Sequence, residues 1–140
     1  MRSIVDGPID VAAVRAAVDD PRFGAVLVFE GVGRNSFEGR PVVRLEYEVY
    51  AEMAEPVLQA IAAEAEVNWP GVKVVMVHRT GVVAIGEPSV VVAVGAPHRG
   101  ECYAASRFAI DELKARLPAW KKEIYEDGSA WKANAPARDG

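Results

Sequence analysis

Ser89-Val90-Val91-Val92-Ala93-Val94-Gly95-Ala96-Pro97-His98-Arg99-Gly100, residues 89–100, is the stretch on which the fold turns. Its first half is an apolar, β-branched run of the kind that forms a buried strand, and Gly95-Ala96-Pro97 breaks it. Residues 100 to 117 then carry Ala105, Phe108, Ile110, Leu113 and Leu117 at helical spacing, with Glu112 and Arg116 as an i,i+4 pair, and Pro118 should stop the helix. The stretch closes on Pro118-Ala119-Trp120-Lys121-Lys122-Glu123. A strand that delivers His98 and Arg99 to its tip, followed by a helix that returns Lys114 and Lys121, predicts four basic side chains at one strand end. Such a cluster suits an anionic ligand.

Working outward, Asp10 followed by Val11, Val14, Ala17 and Val18 predicts a capped amphipathic helix, ended by Asp19-Asp20-Pro21. Gly24 to Gly31 has the continuous apolar character of a central strand. The segment 33–41 holds two glycines, an Asn and a Pro, and predicts an exposed, mobile loop carrying Arg34. Val43, Leu45, Tyr47 and Val49 alternate with polar residues, the period of a strand. Glu52 to Asn68 turns to helical spacing through Met53, Val57, Ile61 and Ala65, with Pro56 near its start and Trp69-Pro70-Gly71 at its end. Residues 72–78, 82–85 and 90–94 predict a three-stranded meander with turns at Thr80-Gly81 and Gly86-Glu87-Pro88. The order αββαβββα predicts an α+β sandwich, a mainly antiparallel sheet with helices packed on one side.

At 140 residues, 51% hydrophobic and 26% charged, the chain suits one compact domain over residues 1–140, with the polar end Ala135 to Gly140 frayed. No apolar run approaches the roughly 20 residues that span a bilayer, and the acidic start lacks the apolar core of a signal peptide, which predicts a cytoplasmic protein. A net charge of −4 argues against nucleic acid as the partner. The single Cys102 excludes an internal disulfide and cannot by itself make a thiolate metal site, and it reads as packing. No P-loop, dinucleotide fingerprint, paired-carboxylate or metal-ligand pattern is present.

Two readings stand for His98-Arg99. Before a helix, they can grip a phosphate or carboxylate with help from the helix N-terminus, or they can be a helix-entry His and a surface Arg paired with Glu101. Lys114 and Lys121 are seven apart. They would share a face on an unbroken helix, although Pro118 should bend the chain between them, and the plainer reading is two solvated lysines. Arg34 is either a loop arginine or a clamp on an anion. His78-Arg79 falls at a turn with no helix after it and predicts a structural role.

Beyond these local signals, spaced blocks occur in one order: Phe29-Glu30-Gly31-Val32-Gly33-Arg34-Asn35, Leu45-Glu46-Tyr47-Glu48-Val49-Tyr50, His78-Arg79-Thr80-Gly81 with Gly86-Glu87, Pro97-His98-Arg99, and Leu113-Lys114 with Pro118-Ala119-Trp120-Lys121-Lys122-Glu123. Over roughly residues 10 to 133 the chain resembles the large, catalytic subunit of molybdopterin synthase. The resemblance implies an α/β hammerhead-type fold and a homodimer within a heterotetramer, each end binding a small ubiquitin-like sulfur carrier. The carrier's C-terminal Gly-Gly, as a thiocarboxylate, would supply two sulfurs that convert cyclic pyranopterin monophosphate to molybdopterin. The sulfurtransferase would use no cofactor or metal. The resemblance also implies Lys114 and Lys121 as catalytic residues, and Val32, Gly33, Arg34, His98, Arg99, Lys122 and Glu123 as substrate-binding. Gly33 departs from the family's usual Val, which predicts a looser Arg34 loop; Tyr103 and Ala119 depart as well. The rival reading is a non-catalytic dimeric module that binds an anion or a peptide tail through the same basic residues.

Overall fold

A computed structural model describes residues 1–133. The expected end segment, Ala135 to Gly140, lies outside the described residues. The elements run β1 (Ile4–Asp6), α1 (Val11–Ala16), β2 (Ala25–Val32), β3 (Ser36–Phe37), β4 (Arg40–Val49), α2 (Ala51–Asn68), β5 (Lys73–Ala84), β6 (Pro88–Ala96), α3 (Arg99–Arg116), β7 (Ala119–Tyr125) and β8 (Ala130–Ala133). All eight strands join one sheet. Its main path is β2-β6-β5-β4-β7-β8, with β1 added parallel to β5 and β3 paired with β4. Every other pairing is antiparallel, so the predicted α+β class holds.

The β6 run is buried along its length except for half-buried Pro88, which explains its unbroken apolar sequence: both faces are covered. On one face, α2 and α3 enclose a core that includes Leu58, Ile61, Leu113, Val74, Met76, Val92 and Val94. On the other, Val14 and Val18 close a smaller core over Val77, Val91 and Ala93. The expectation of helices on one side is therefore corrected. Strand residues of opposite parity are apolar on both faces, and α1 takes the second face. Each fully buried aliphatic side chain contributes about 1.5–3 kcal/mol. Asp10 caps α1 as predicted, accepting from Ala13 N at 3.0 Å. Among the described residues no helix is long and apolar enough to cross a membrane.

Four other expectations are corrected. Ala25–Val32 is an edge strand, half-buried for most of its length. The three-stranded meander is a two-stranded hairpin, because β5 runs through Thr80-Gly81 without a turn, Gly81 bending it at a φ of +94°. In α2 the buried stripe is Ala54, Leu58, Ile61 and Ala65, and Met53 is exposed. Finally, the predicted order ended on the third helix, whereas two strands follow it: α3 ends at Arg116, before Pro118 as expected, and the chain then pairs as β7 with β4 and β8. β1 was not anticipated, being only three residues long.

Candidate active site

Arg34 follows the end of β2. The loop expected around it is instead a small hairpin in which Ser36 pairs with Pro41 and Phe37 with Arg40. Glu38 and Gly39 form its tip at φ values of +49° and +79°, a left-handed pair that only a tight turn of this kind demands. Gly33 is not loose. Its N–H donates to Glu87 O at 3.2 Å, its carbonyl accepts from Gly86 N at 3.0 Å, and a Cβ placed on it would lie 3.1 Å from Leu45 Cδ1. Glycine here lets the end of β2 close down on β4, so the Arg34 backbone starts from a fixed point.

Below Arg34 lies a recess of about 10 Å³, lined by Val32, Phe37, Leu45, Tyr47, Lys121 and Glu123. Period-2 alternation in β7 explains which residues reach it. Lys121, Glu123 and Tyr125 point inward and are buried, whereas Lys122 faces the opposite side of the sheet and is exposed. Lys121 sits directly across from Tyr47 in the β4–β7 ladder, and its Nζ is 4.0 Å from Glu123 Oε1. Burial raises the Tyr125 hydroxyl above its ordinary value, with the Glu123 charge adding to the effect. The structure thus gathers Val32, Gly33, Arg34, Lys121 and Glu123 at one place, and leaves Lys122 out.

Lys114 comes from the last turn of α3 and is half-buried. It is not on a helical face shared with Lys121, which lies beyond Pro118 on β7 across from Tyr47. His78, which the sequence reading did not assign to the site, packs on that same Tyr47 and feels the Lys114 charge. His78, 2% exposed, sets its ring against Tyr47 in an edge contact with centroids 5.2 Å apart. Burial drives the His78 pKa down to about 4; the Arg79 carbonyl opposes the shift, and the Lys114 charge adds to it. His78 is therefore neutral at pH 7. Arg79 is tied to Glu87 at 3.0 Å, and Glu87 Oε1 also accepts from Ala84 N at 3.0 Å, which fixes the β5–β6 turn beneath Gly33. The structural role expected of His78-Arg79 is met by these contacts. The alternating strand pattern that placed Tyr47 inward was the available sign that it would line a site.

His98 and Arg99 are elsewhere. His98 caps α3 at its N-terminus with its side chain 85% exposed, and its Nδ1 is 3.3 Å from Glu101 Oε1. Arg99 is the first residue of the same helix and is exposed. Fifteen residues of helix separate Arg99 from Lys114, about 22 Å at the rise of an α-helix. The expected convergence of four cations at one strand end is corrected: within one chain, His98 and Arg99 are at the far end of α3 from the lysines. Cys102 is packed in the core, its S–H donating to Val94 O at 3.3 Å.

With this geometry in hand, the comparisons are consistent with one another. The family model described as MoaE protein matches residues 4–116. The molybdopterin synthase catalytic subunit of Taeniopygia guttata is 48% identical over 127 residues, covering 90% of this chain and 82% of that protein. The crystal structure of molybdopterin synthase from Staphylococcus aureus superposes with a TM-score of 0.90 at 38% identity, over 95% of this chain and 96% of that one. A chain in the complex of subunits 1 and 2 of the molybdopterin-converting factor from Helicobacter pylori shares the fold, with a TM-score of 0.77 at 21% identity, over 97% of this chain and 92% of that one. A family match across most of the chain and a relative of nearly half identity show the family: the chain belongs to the MoaE family, that of molybdopterin synthase catalytic subunits.

Proposed function

We propose that this chain is a sulfurtransferase that converts cyclic pyranopterin monophosphate to molybdopterin, using two sulfurs carried as thiocarboxylate on the C-terminal glycine of a small ubiquitin-like partner. The observation that carries this reading is the grouping of Arg34 and buried Lys121 at a narrow recess; Lys114, in the last turn of α3, is assigned to the same site. A recess of about 10 Å³ does not enclose a pterin, since small-molecule sites span roughly 300–1,000 Å³. The substrate therefore lies across the mouth, and a second surface completes the enclosure.

His98 and Arg99 supply that surface from a second copy of the chain. They are exposed, basic and at a helix N-terminus, where unpaired N–H groups favour an anion. In a homodimer that sets one chain's α3 start against the other's recess, His98, Arg99 and Arg34 hold phosphate and pterin. Lys121 then faces negative charge as it develops in a partly dry site. The small partner's tail enters beside Lys114. Its thiocarboxylate sulfur bonds to a pterin side-chain carbon as the C–O bond at that carbon breaks and the oxygen leaves with a proton. Water or the Lys114 amine then attacks the glycyl carbonyl, so the acyl–sulfur bond breaks with the sulfur remaining on the pterin. Lys114 assists as an acid–base group, or captures the glycyl carbonyl as an amine nucleophile that is released by later hydrolysis. The protein needs no thiol of its own, because sulfur arrives on the partner. The Helicobacter pylori complex of two subunits supports a partner of this kind.

The test is reconstitution of this chain with the thiocarboxylated small partner and cyclic pyranopterin monophosphate, followed by mass spectrometry for the dithiolene product. Product is expected with the wild-type chain and absent with Lys114→Ala. Full activity in Lys114→Ala removes the assignment of Lys114. A demonstrated complex that makes no product favours the non-catalytic binding module.

A further inference from the structure

His78 has features that core packing alone does not require. It lies on the face of β5 covered by α3, buried among apolar side chains, at a position where Leu or Phe would fill the same space without a polar atom to satisfy. Its Nδ1 is 2.8 Å from the carbonyl oxygen of Arg79. A carbonyl only accepts, so in the neutral ring the proton is on Nδ1 and Nε2 keeps its lone pair. Nε2 is on the ring edge away from that bond. The ring packs on Tyr47, which lines the recess, on a strand that α3 contacts, and the charge of Lys114 in the last turn of α3 acts on it electrostatically. A neutral imidazole held in one tautomer, with its acceptor on the edge away from Arg79 and within the field of a lysine, is suited to aiming an amine.

We propose that His78 is a positioning residue for Lys114: its Nε2 accepts a hydrogen bond from the Lys114 amino group during turnover and directs that group toward the recess flanked by Arg34 and Lys121. The inference rests on the synthase reading for the role of Lys114, and goes beyond it by giving a buried strand residue a part in the reaction. His78 does not touch substrate; its effect passes through the lysine.

Two isosteric replacements separate positioning from packing. In His78→Gln the side-chain carbonyl takes the place of Nε2 and keeps an acceptor facing α3. In His78→Asn the amide can replace the Nδ1–H donor to Arg79 but leaves nothing at the outer edge. In the reconstituted complex, His78→Gln is expected to keep kcat within about threefold, whereas His78→Asn loses at least about tenfold in kcat with KM for the pterin unchanged, as loss of orientation of a reacting group predicts. Thermal unfolding of both variants is measured alongside. Equal losses in both variants, or losses that follow their melting temperatures, overturn the proposal. A second readout needs no turnover: the rate at which a water-soluble acylating reagent labels Lys114, followed by peptide mass spectrometry with Lys122 as internal reference. That rate is expected to change in His78→Asn and not in His78→Gln, and an unchanged rate in both overturns the proposal. If the wild-type complex makes no product, the synthase reading fails, and the labelling comparison still decides the His78–Lys114 link.

Discussion

Tyr47 and Lys121 are direct partners across the β4–β7 ladder, and both are buried, so a lysine is held against a phenol ring at the base of the Arg34 recess. That pairing rests on strand register. A one-residue slip of β7 would turn Lys122 inward and send Lys121 to solvent.

Lys121 is therefore expected to matter to chemistry more than to folding. Lys121→Met keeps most of the buried stem and removes the charge. Turnover in the reconstituted complex should fall by about 100-fold or more, the scale for losing a fixed charge that meets developing negative charge. Urea unfolding should show a loss of about 1–3 kcal/mol, because Glu123 stays in dry surroundings with its neighbouring cation gone. Adding Glu123→Gln should recover stability without recovering turnover. Recovery of both would show that Lys121 serves only to neutralise Glu123.

Acid should weaken the fold partly through His78. Its folded pKa of about 4 is below the unfolded value of 6.5, so the unfolded chain binds the extra proton between these limits. Stability from keeping the ring neutral is complete above pH 6.5 and declines as pH falls toward 4, by about 3 kcal/mol at the lower end. Glu64 and Glu87, both lowered chiefly by hydrogen bonds they accept, from Arg116 and from Ala84 N respectively, add losses as pH falls further into their range. Urea midpoints measured from pH 7.5 to 4 should drop for the wild-type chain, and drop less in His78→Gln. Parallel curves would mean that the His78 ring titrates normally.

How far the sequence led can be judged from particular residues. The β6–α3 run and the alternation in β4 were legible because periodicity reports burial directly, and β6 is covered on both faces. The residues at Arg34, Lys114 and Lys121 were picked out because cations are conspicuous against apolar neighbours. Their spatial grouping was not legible. The seven-residue spacing of Lys114 and Lys121 fits one face only on an unbroken helix, and Pro118 signalled the break, but not that the strand after it pairs with β4, a contact about 70 residues away in sequence that no local pattern encodes. Likewise β2 has the composition of a central strand but takes the edge. Composition records how apolar a strand's surroundings are, and the helix–strand packing over β2 supplies that without a second neighbouring strand.

Gly95 shows where packing leaves no room for a side chain. A Cβ there would run into the Phe23 ring and come within 2.8 Å of Val18 O, so the connection between α1 and β2 rests on the bare backbone of β6. Gly95→Ala is expected to destabilise by about 2–4 kcal/mol, since one of the obstructing groups is backbone and cannot turn aside. Gly100→Ala, at a position with open space around it, should be neutral or slightly stabilising as a helix substitution. Equal thermal midpoints for the two variants would contradict this packing.

The separation of His98 from Lys114 gives a prediction of a different kind. Both residues belong to the proposed site, yet they are at opposite ends of one helix about 24 Å apart, so a single chain cannot bring them to one ligand. If each site takes Lys114 from one chain and His98 from the other, a dimer formed from a His98→Ala chain and a Lys114→Ala chain has one site that lacks both groups and one that lacks neither. Each variant alone should be nearly inactive in the reconstituted reaction. Mixed as unfolded chains and refolded together, they should recover up to about a quarter of wild-type turnover, because half the random dimers are mixed and half the sites in those are intact. The double variant His98→Ala/Lys114→Ala, mixed with wild-type chain, serves as the control: its mixed dimers contain no intact site, so activity should fall below the wild-type chain's share. If the two single variants fail to complement while each still dimerises and binds the small partner, both residues act within one chain, and α3 would have to be broken or moved to let them meet.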